Sequence, residues 1–168
     1  MQRYHFPRQC WSLSGILVVM VLLCAITASA QAPSIEGTYK LISRKLPDGT
    51  MLSPSEIMGL FTYTKSHRTV NIVRKDATGK FSSSSNVSTY TLTATEYSET
   101  RLFSIVNDQI GGKEIVYNLS SETRSAPVTV EGGRIQFKNP LGTRSLVFEG
   151  NKVTATAEGN VDVWEKVE

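Results

Sequence analysis

After residue 37 the chain is cut by turn signals at short, even spacing. They are Pro47-Asp48-Gly49, Ala77-Thr78-Gly79-Lys80, Asn107-Asp108, Gly111-Gly112, Glu131-Gly132-Gly133, Asn139-Pro140-Leu141-Gly142, Gly150-Asn151 and Gly159-Asn160. Each supplies the glycine, proline, asparagine or aspartate that a tight turn needs for its backbone angles. The spans between them read as strands: 37–46, 60–65, 68–75, 87–96, 99–106, 113–119, 126–131, 134–138, 143–149, 152–157 and 161–167. Such a rhythm predicts an all-β chain, an antiparallel meander that closes into a barrel or a sandwich.

Helix signals are nearly absent. Ser53-Pro54-Ser55-Glu56 has the form of a capping box with proline in the first turn, so at most one short helix is expected there, stopped by Gly59. The two-residue period shows which side of each strand faces in. In Val87–Thr95 one face is valine and threonine, and the other, Ser88, Tyr90, Leu92 and Ala94, is read as inward. The same logic turns Val70 and Ile72, Ile135 and Phe137, Leu146 and Phe148, and Val153 and Ala155 inward. Residues 81–86, FSSSSN, read as a flexible polar connector.

Residues 1–30 have the composition of a secretory leader. Arg3 and Arg8 precede the apolar run 16–26, and Ala28 and Ala30 place cleavage after Ala30. The run is short of the ~20 apolar residues of a membrane span, so no stable span is expected after cleavage. Leu22 and Leu23 before Cys24 do not suit a lipid-modified cysteine. The mature domain is then 31–168, secreted or periplasmic. Cys10 and Cys24 both fall in the leader, so the exported domain has no internal disulfide and relies on its core. The sites Asn86-Val87-Ser88 and Asn118-Leu119-Ser120 match the glycosylation pattern, which carries little weight on its own.

Charge narrows the partners. After Ala30, fifteen acids face sixteen lysines and arginines, the leader's two arginines completing the total of eighteen. There is no polybasic stripe, which argues against nucleic acid.

The first strand, Gly37-Thr38-Tyr39-Lys40-Leu41, is followed by Asp48-Gly49 and by Gly59-Leu60-Phe61-Thr62-Tyr63-Thr64. A mid-chain stretch, Tyr90 to Thr100, and a tryptophan on the last strand, Val161-Asp162-Val163-Trp164-Glu165, complete the pattern. Together these stretches resemble the bacterial lipocalin-like domains over roughly residues 35–168. The resemblance implies a single antiparallel up-and-down β-barrel of lipocalin-like type with a mouth at one end. True lipocalins carry tryptophan where Tyr39 stands and pack a basic residue of the last strand over it. Here Trp164 and Lys166 stand at the far end, so closure of the barrel base is an open point.

No cofactor motif and no metal-ligand set is evident. His67, the only histidine after the leader, reads as an exposed turn residue, because no second His or Cys joins it and no nucleophile elbow is present. Glu96 and Glu99 read as solvated acids flanking a hairpin turn at Tyr97-Ser98. Arg101 shares a face with Phe103 and Ile105. If that face is inward, Arg101 can pair the head group of a carboxylate ligand; otherwise its stem lies on the surface with its head in water. Tyr63, Tyr90, Phe103 and Tyr117 are the aromatic candidates to line a pocket, and equally to fill it. The expected function is non-covalent binding of a small, mostly apolar ligand by these residues. The alternatives are a solid barrel that docks a protein partner, or a cyclase- or isomerase-type barrel enzyme.

Overall fold

A computed structural model describes Met1 and residues 32–167. The expected leader, residues 1–30, lies outside the described residues apart from Met1, and the barrel is a compact unit spanning Ala32–Glu168. Among the described residues there is no helix and hence none able to cross a membrane.

Twelve strands follow in chain order: β1 (Gly37–Lys45), β2 (Met51–Leu52), β3 (Ile57–Tyr63), β4 (His67–Lys75), β5 (Phe81–Leu92), β6 (Glu96–Asp108), β7 (Val116–Asn118), β8 (Thr123–Glu131), β9 (Arg134–Lys138), β10 (Ser145–Glu149), β11 (Lys152–Ala157) and β12 (Asn160–Lys166). Ten of them form a closed ring, β1-β3-β4-β5-β6-β8-β9-β10-β11-β12, in which every neighbour is antiparallel and β12 pairs back onto β1. Short β2 and β7 add to β1 and β6 outside that ring. The expected lipocalin-like, up-and-down barrel is therefore present, with ten strands.

The base of the barrel carries Gly37, Tyr63, Leu92 and Lys166, joined by tight hairpins. At Gly132 and Gly133, φ is +57° and +82°, the paired left-handed geometry of a two-residue hairpin. The base closes through a tyrosine. Tyr39 pairs with Lys166, whose Nζ lies 6.0 Å from the Tyr39 ring centroid and donates to the Glu36 carbonyl at 2.7 Å. The Tyr39 hydroxyl donates to the Ile35 carbonyl at 3.2 Å. A cation over an aromatic face is attractive, so the Tyr39–Lys166 pair closes the base that the sequence left open.

Above the base the interior is solid. Tyr97 stacks on Phe137 at 4.2 Å between centroids, and Phe137 stacks on Phe148 at 5.7 Å. Tyr63 meets Phe61 at 4.7 Å and Tyr90 at 5.0 Å, and Phe61 meets Trp164 at 5.6 Å. The predicted inward positions Ile135, Phe137, Leu146, Phe148, Val153 and Ala155 are all buried in this core.

The allowance of at most one short helix stands, with none formed among the described residues, and three local expectations are corrected. Ser53–Glu56 does form the capping pair, the Glu56 carboxylate accepting from Ser53 N at 2.9 Å. It closes one turn only, and β3 begins at Ile57, because Ile57, Phe61 and Tyr63 fit the two-residue period of a strand. Residues 81–86 are not a connector: their serines form the first half of β5, hydrogen-bonded on both sides to β4 and β6. The hairpin turn lies at residues 93–95, with Thr93 N donating to the Glu96 carbonyl at 2.9 Å, and Ala94 is exposed in it. Tyr97 and Ser98 therefore sit inside β6, and Glu99 points into the barrel rather than into solvent.

The last correction concerns Arg101 and Phe103. Val87 pairs with Phe103 and Ser88 with Arg101, so β6 carries an extra residue, Leu102. A bulge of this kind shifts the alternation by one. Tyr97, Glu99 and Arg101 face inward, whereas Phe103 faces outward with Val87. A second bulge, at Ile42, does the same in β1. Leu41 pairs with Trp164 inside, and after the bulge Arg44 pairs with Asp162 on the same inner side.

Candidate functional site

The mouth end is not filled. Between the inner faces of β4, β5 and β6 and the β9–β10 loop lies a cavity of about 250 Å³. Val70 and Ile72 of β4 form an apolar wall, Ser84, Asn86 and Ser88 of β5 a polar one, and Leu141 of the loop adds an apolar roof. Arg68, Glu99, Arg101 and Arg144 bring charge to it.

Each charged group has a definite partner. Arg68 is only 8% exposed, and its Nη1 donates to Glu99 Oε1 at 2.9 Å. The Tyr97 hydroxyl donates to Glu99 Oε2 at 3.0 Å. Glu99 itself is 1% exposed. The guanidinium carbon of Arg68 also lies 5.2 Å from the Phe61 ring centroid, so it is packed as well as paired. Burial by itself pulls the Arg68 guanidinium down, but the facing Tyr63 hydroxyl and Glu99 carboxylate outweigh it and hold it above its ordinary value. Burial also pushes the Tyr63 and Tyr97 phenols far up, so both stay neutral.

A second cluster lies on β1, β12 and the loop. Asp162 is fully buried and accepts from Arg44 Nε at 2.5 Å, Arg44 Nη2 at 2.7 Å and Arg144 Nη1 at 2.8 Å. The Arg144 bond ties the 139–144 loop to the wall. The loop is tight in its own right, with Asn139 N donating to the Arg144 carbonyl at 2.7 Å and Asn139 Oδ1 accepting from Leu141 N at 2.9 Å. Burial, and then the neighbouring Arg44, hold the Arg144 guanidinium below its ordinary value against the pull of Asp162. At the rim, Arg101 Nη1 donates to Glu122 Oε2 at 3.0 Å, and this bond pulls the Glu122 carboxyl below the usual carboxylate range.

Of the five ligand-binding candidates named from sequence, Tyr63, Tyr90, Arg101, Phe103 and Tyr117, the structure brings only Arg101 to the cavity. Tyr63 is buried below it in the aromatic core, its hydroxyl without a hydrogen-bond partner. Tyr90 is buried at the base, where its hydroxyl donates to the Thr64 carbonyl at 2.6 Å. Phe103 lies on the outer wall, and Tyr117 is 64% exposed on β7. His67 is exposed at the start of β4, with Ser66 Oγ 2.9 Å from its Nδ1. Among the described residues no group of three or more His, Cys, Asp or Glu is placed to hold a metal ion.

Arg44, Arg68, Glu99, Arg144 and Asp162 are the interior residues that sequence reasoning missed. Signals for three of them existed. Arg68 alternates with Val70 and Ile72, Glu99 with Tyr97 and Arg101, and Asp162 with Trp164. The period that turned the apolar partner inward turned the charged one inward too.

No family model, no curated protein and no solved structure matches this chain. The functional reading therefore rests on the geometry of the mouth.

Proposed function

We infer that this is an exported lipocalin-like barrel that binds a small molecule non-covalently at its mouth. The observation that carries this reading is the cavity of about 250 Å³ left open above a solid aromatic core. Concave, preformed space with an apolar wall and a few converging polar groups is the ordinary form of a small-ligand site. Val70, Ile72 and Leu141 would hold the apolar part, and Arg101 with the serines and asparagine of β5 would orient a polar end. The aromatic residues fill the barrel below the ligand instead of lining its pocket, so the occupant is small and carries polar groups.

Native mass spectrometry of the protein purified from its own host tests both halves. The expected result is a chain beginning at Gln31 with a stoichiometric companion mass that is lost on denaturation. A chain that retains residues 1–30 removes the export half. A bare chain that also fails to take up any small molecule from a host extract removes the binding half.

A second reading, a barrel that docks a protein partner, draws on the outer wall. An open apolar groove of about 340 Å³ lies there, lined by Pro54, Met58, Leu60 and Val73. Met58 and Leu60 are exposed. Apolar surface of this kind is a feature of interaction sites.

A further inference from the structure

Two buried donors below the mouth cavity have no acceptor. Arg68 Nε and Trp164 Nε1 are shut away from solvent and make no hydrogen bond. Buried N–H groups are almost always paired, so two orphans close together need a physical reason. Both side chains line one small void of about 30 Å³, walled elsewhere by Phe61, Leu146 and Ala155. That space admits a single group the size of a water. The void shares Arg68, Val70, Ile72, Asn139 and Arg144 with the larger cavity, so the two spaces adjoin across these side chains.

Charge points the same way. Three inward guanidiniums, Arg44, Arg68 and Arg144, pair with two buried carboxylates, Glu99 and Asp162, while Arg101 pairs with Glu122 at the rim and the exposed Glu158 draws on Arg144 from the surface. Glu122 is shared again with the exposed Arg124. The inward pairs therefore hold one more guanidinium than carboxylate, offset by Glu158 only from the solvent side, where screening weakens it. A water in the void would satisfy the donors and leave the charge unbalanced. A negatively charged oxygen satisfies both, and charge-assisted bonds of this kind are the strong ones.

We propose that the mouth cavity takes an organic carboxylate, head down, with one carboxylate oxygen in the void between Arg68 and Trp164 and the apolar part along Val70, Ile72 and Leu141. This rests on the small-ligand reading above and assigns its chemical class and orientation. The head group is placed deeper than Arg101, which stands at the rim.

The test is a titration of ¹⁵N-labelled protein in low-salt buffer with hexanoate, with 1-hexanol and with inorganic phosphate. The Trp164 indole N–H is followed, its signal identified by its loss in Trp164→Phe. The expected result is a saturable shift of that signal with hexanoate, and binding of hexanoate at least about tenfold tighter than 1-hexanol. Trp164→Phe keeps an aromatic ring in the core and removes the donor. It should weaken hexanoate about tenfold and leave 1-hexanol unchanged. A shift with phosphate as large as that with hexanoate overturns the organic-carboxylate assignment and makes a free inorganic anion the occupant. Equal affinity for hexanoate and 1-hexanol, with no movement of the indole signal, overturns the carboxylate assignment and leaves the cavity reading standing. If none of the three moves any signal from the cavity wall, the cavity reading falls with it.

Discussion

At the scale of single residues, the pairing of Arg68 with Glu99 decides most about the interior. A guanidinium and a carboxylate are both withdrawn from water there, with the Tyr97 hydroxyl as a third member. Desolvation of two charges is expensive, so the pair as a whole adds little net stability, but removing one partner strands the other. Glu99→Leu should therefore cost about 3–5 kcal/mol, and the same change combined with Arg68→Met should recover most of that loss. Urea unfolding of the two single variants and the double variant checks this. If the double variant is as damaged as the two single losses added together, the pair is not the unit described here. The double variant also removes one of the two orphan donors. A stable barrel that has lost its preference for hexanoate would separate what the pair does for the fold from what it does for the site.

At the scale of elements, β3 shows how tightly the wall fits the core. Gly59 faces inward against Trp164. A methyl group there would stand 2.9 Å from Trp164 Cη2 and 3.1 Å from the Asn71 carbonyl oxygen. The indole is held by Phe61 and cannot withdraw easily, and the carbonyl belongs to the neighbouring strand. Gly59→Ala should destabilise the barrel by about 1–3 kcal/mol, the usual range for overpacking, seen as a lower thermal midpoint. An unchanged midpoint would mean that the Trp164 site is looser than its contacts indicate. Elements are also where the sequence was most and least legible. Turn residues mark their own positions, because few other residues accept the backbone angles, so most strand limits could be read to within a few residues. Serine has weak strand preference, so Ser82–Ser85 carried no local signal. They are in β5 because β4 and β6 stand ready on either side. The bulge at Leu102 had no signal either, and one unmarked residue was enough to send Phe103 outward while Arg101 stayed in. Charged interior positions were passed over because acids are usually solvated. Only the partner strand, 31 residues away for Arg68 and Glu99, reveals that each has a counter-ion.

At the scale of the whole molecule, closure of β12 on β1 leaves the ring without a free edge and encloses an interior rich in tyrosine. Tyr39, Tyr63, Tyr90 and Tyr97 all have phenols raised above the ordinary value, chiefly by burial, with Tyr90 pushed up to about 12. In the unfolded chain these groups ionise near 10. Above that pH the unfolded chain sheds protons that the folded barrel keeps, so ionisation favours unfolding. The contribution is thus fully present below pH 10 and is lost as pH rises, for Tyr90 between about 10 and about 12. Stability measured by urea unfolding should hold below pH 10 and fall steadily above it. Lysines titrate in the same window, so the decisive comparison is Tyr90→Phe. That variant loses the hydrogen bond to the Thr64 carbonyl and should be less stable than the parent at neutral pH. Having no phenol to ionise, it should decline less between pH 10 and 12, so the two curves converge. Parallel curves across that interval would show that Tyr90 ionises alike in both states, and that the base of the barrel admits water the packed aromatic floor would exclude.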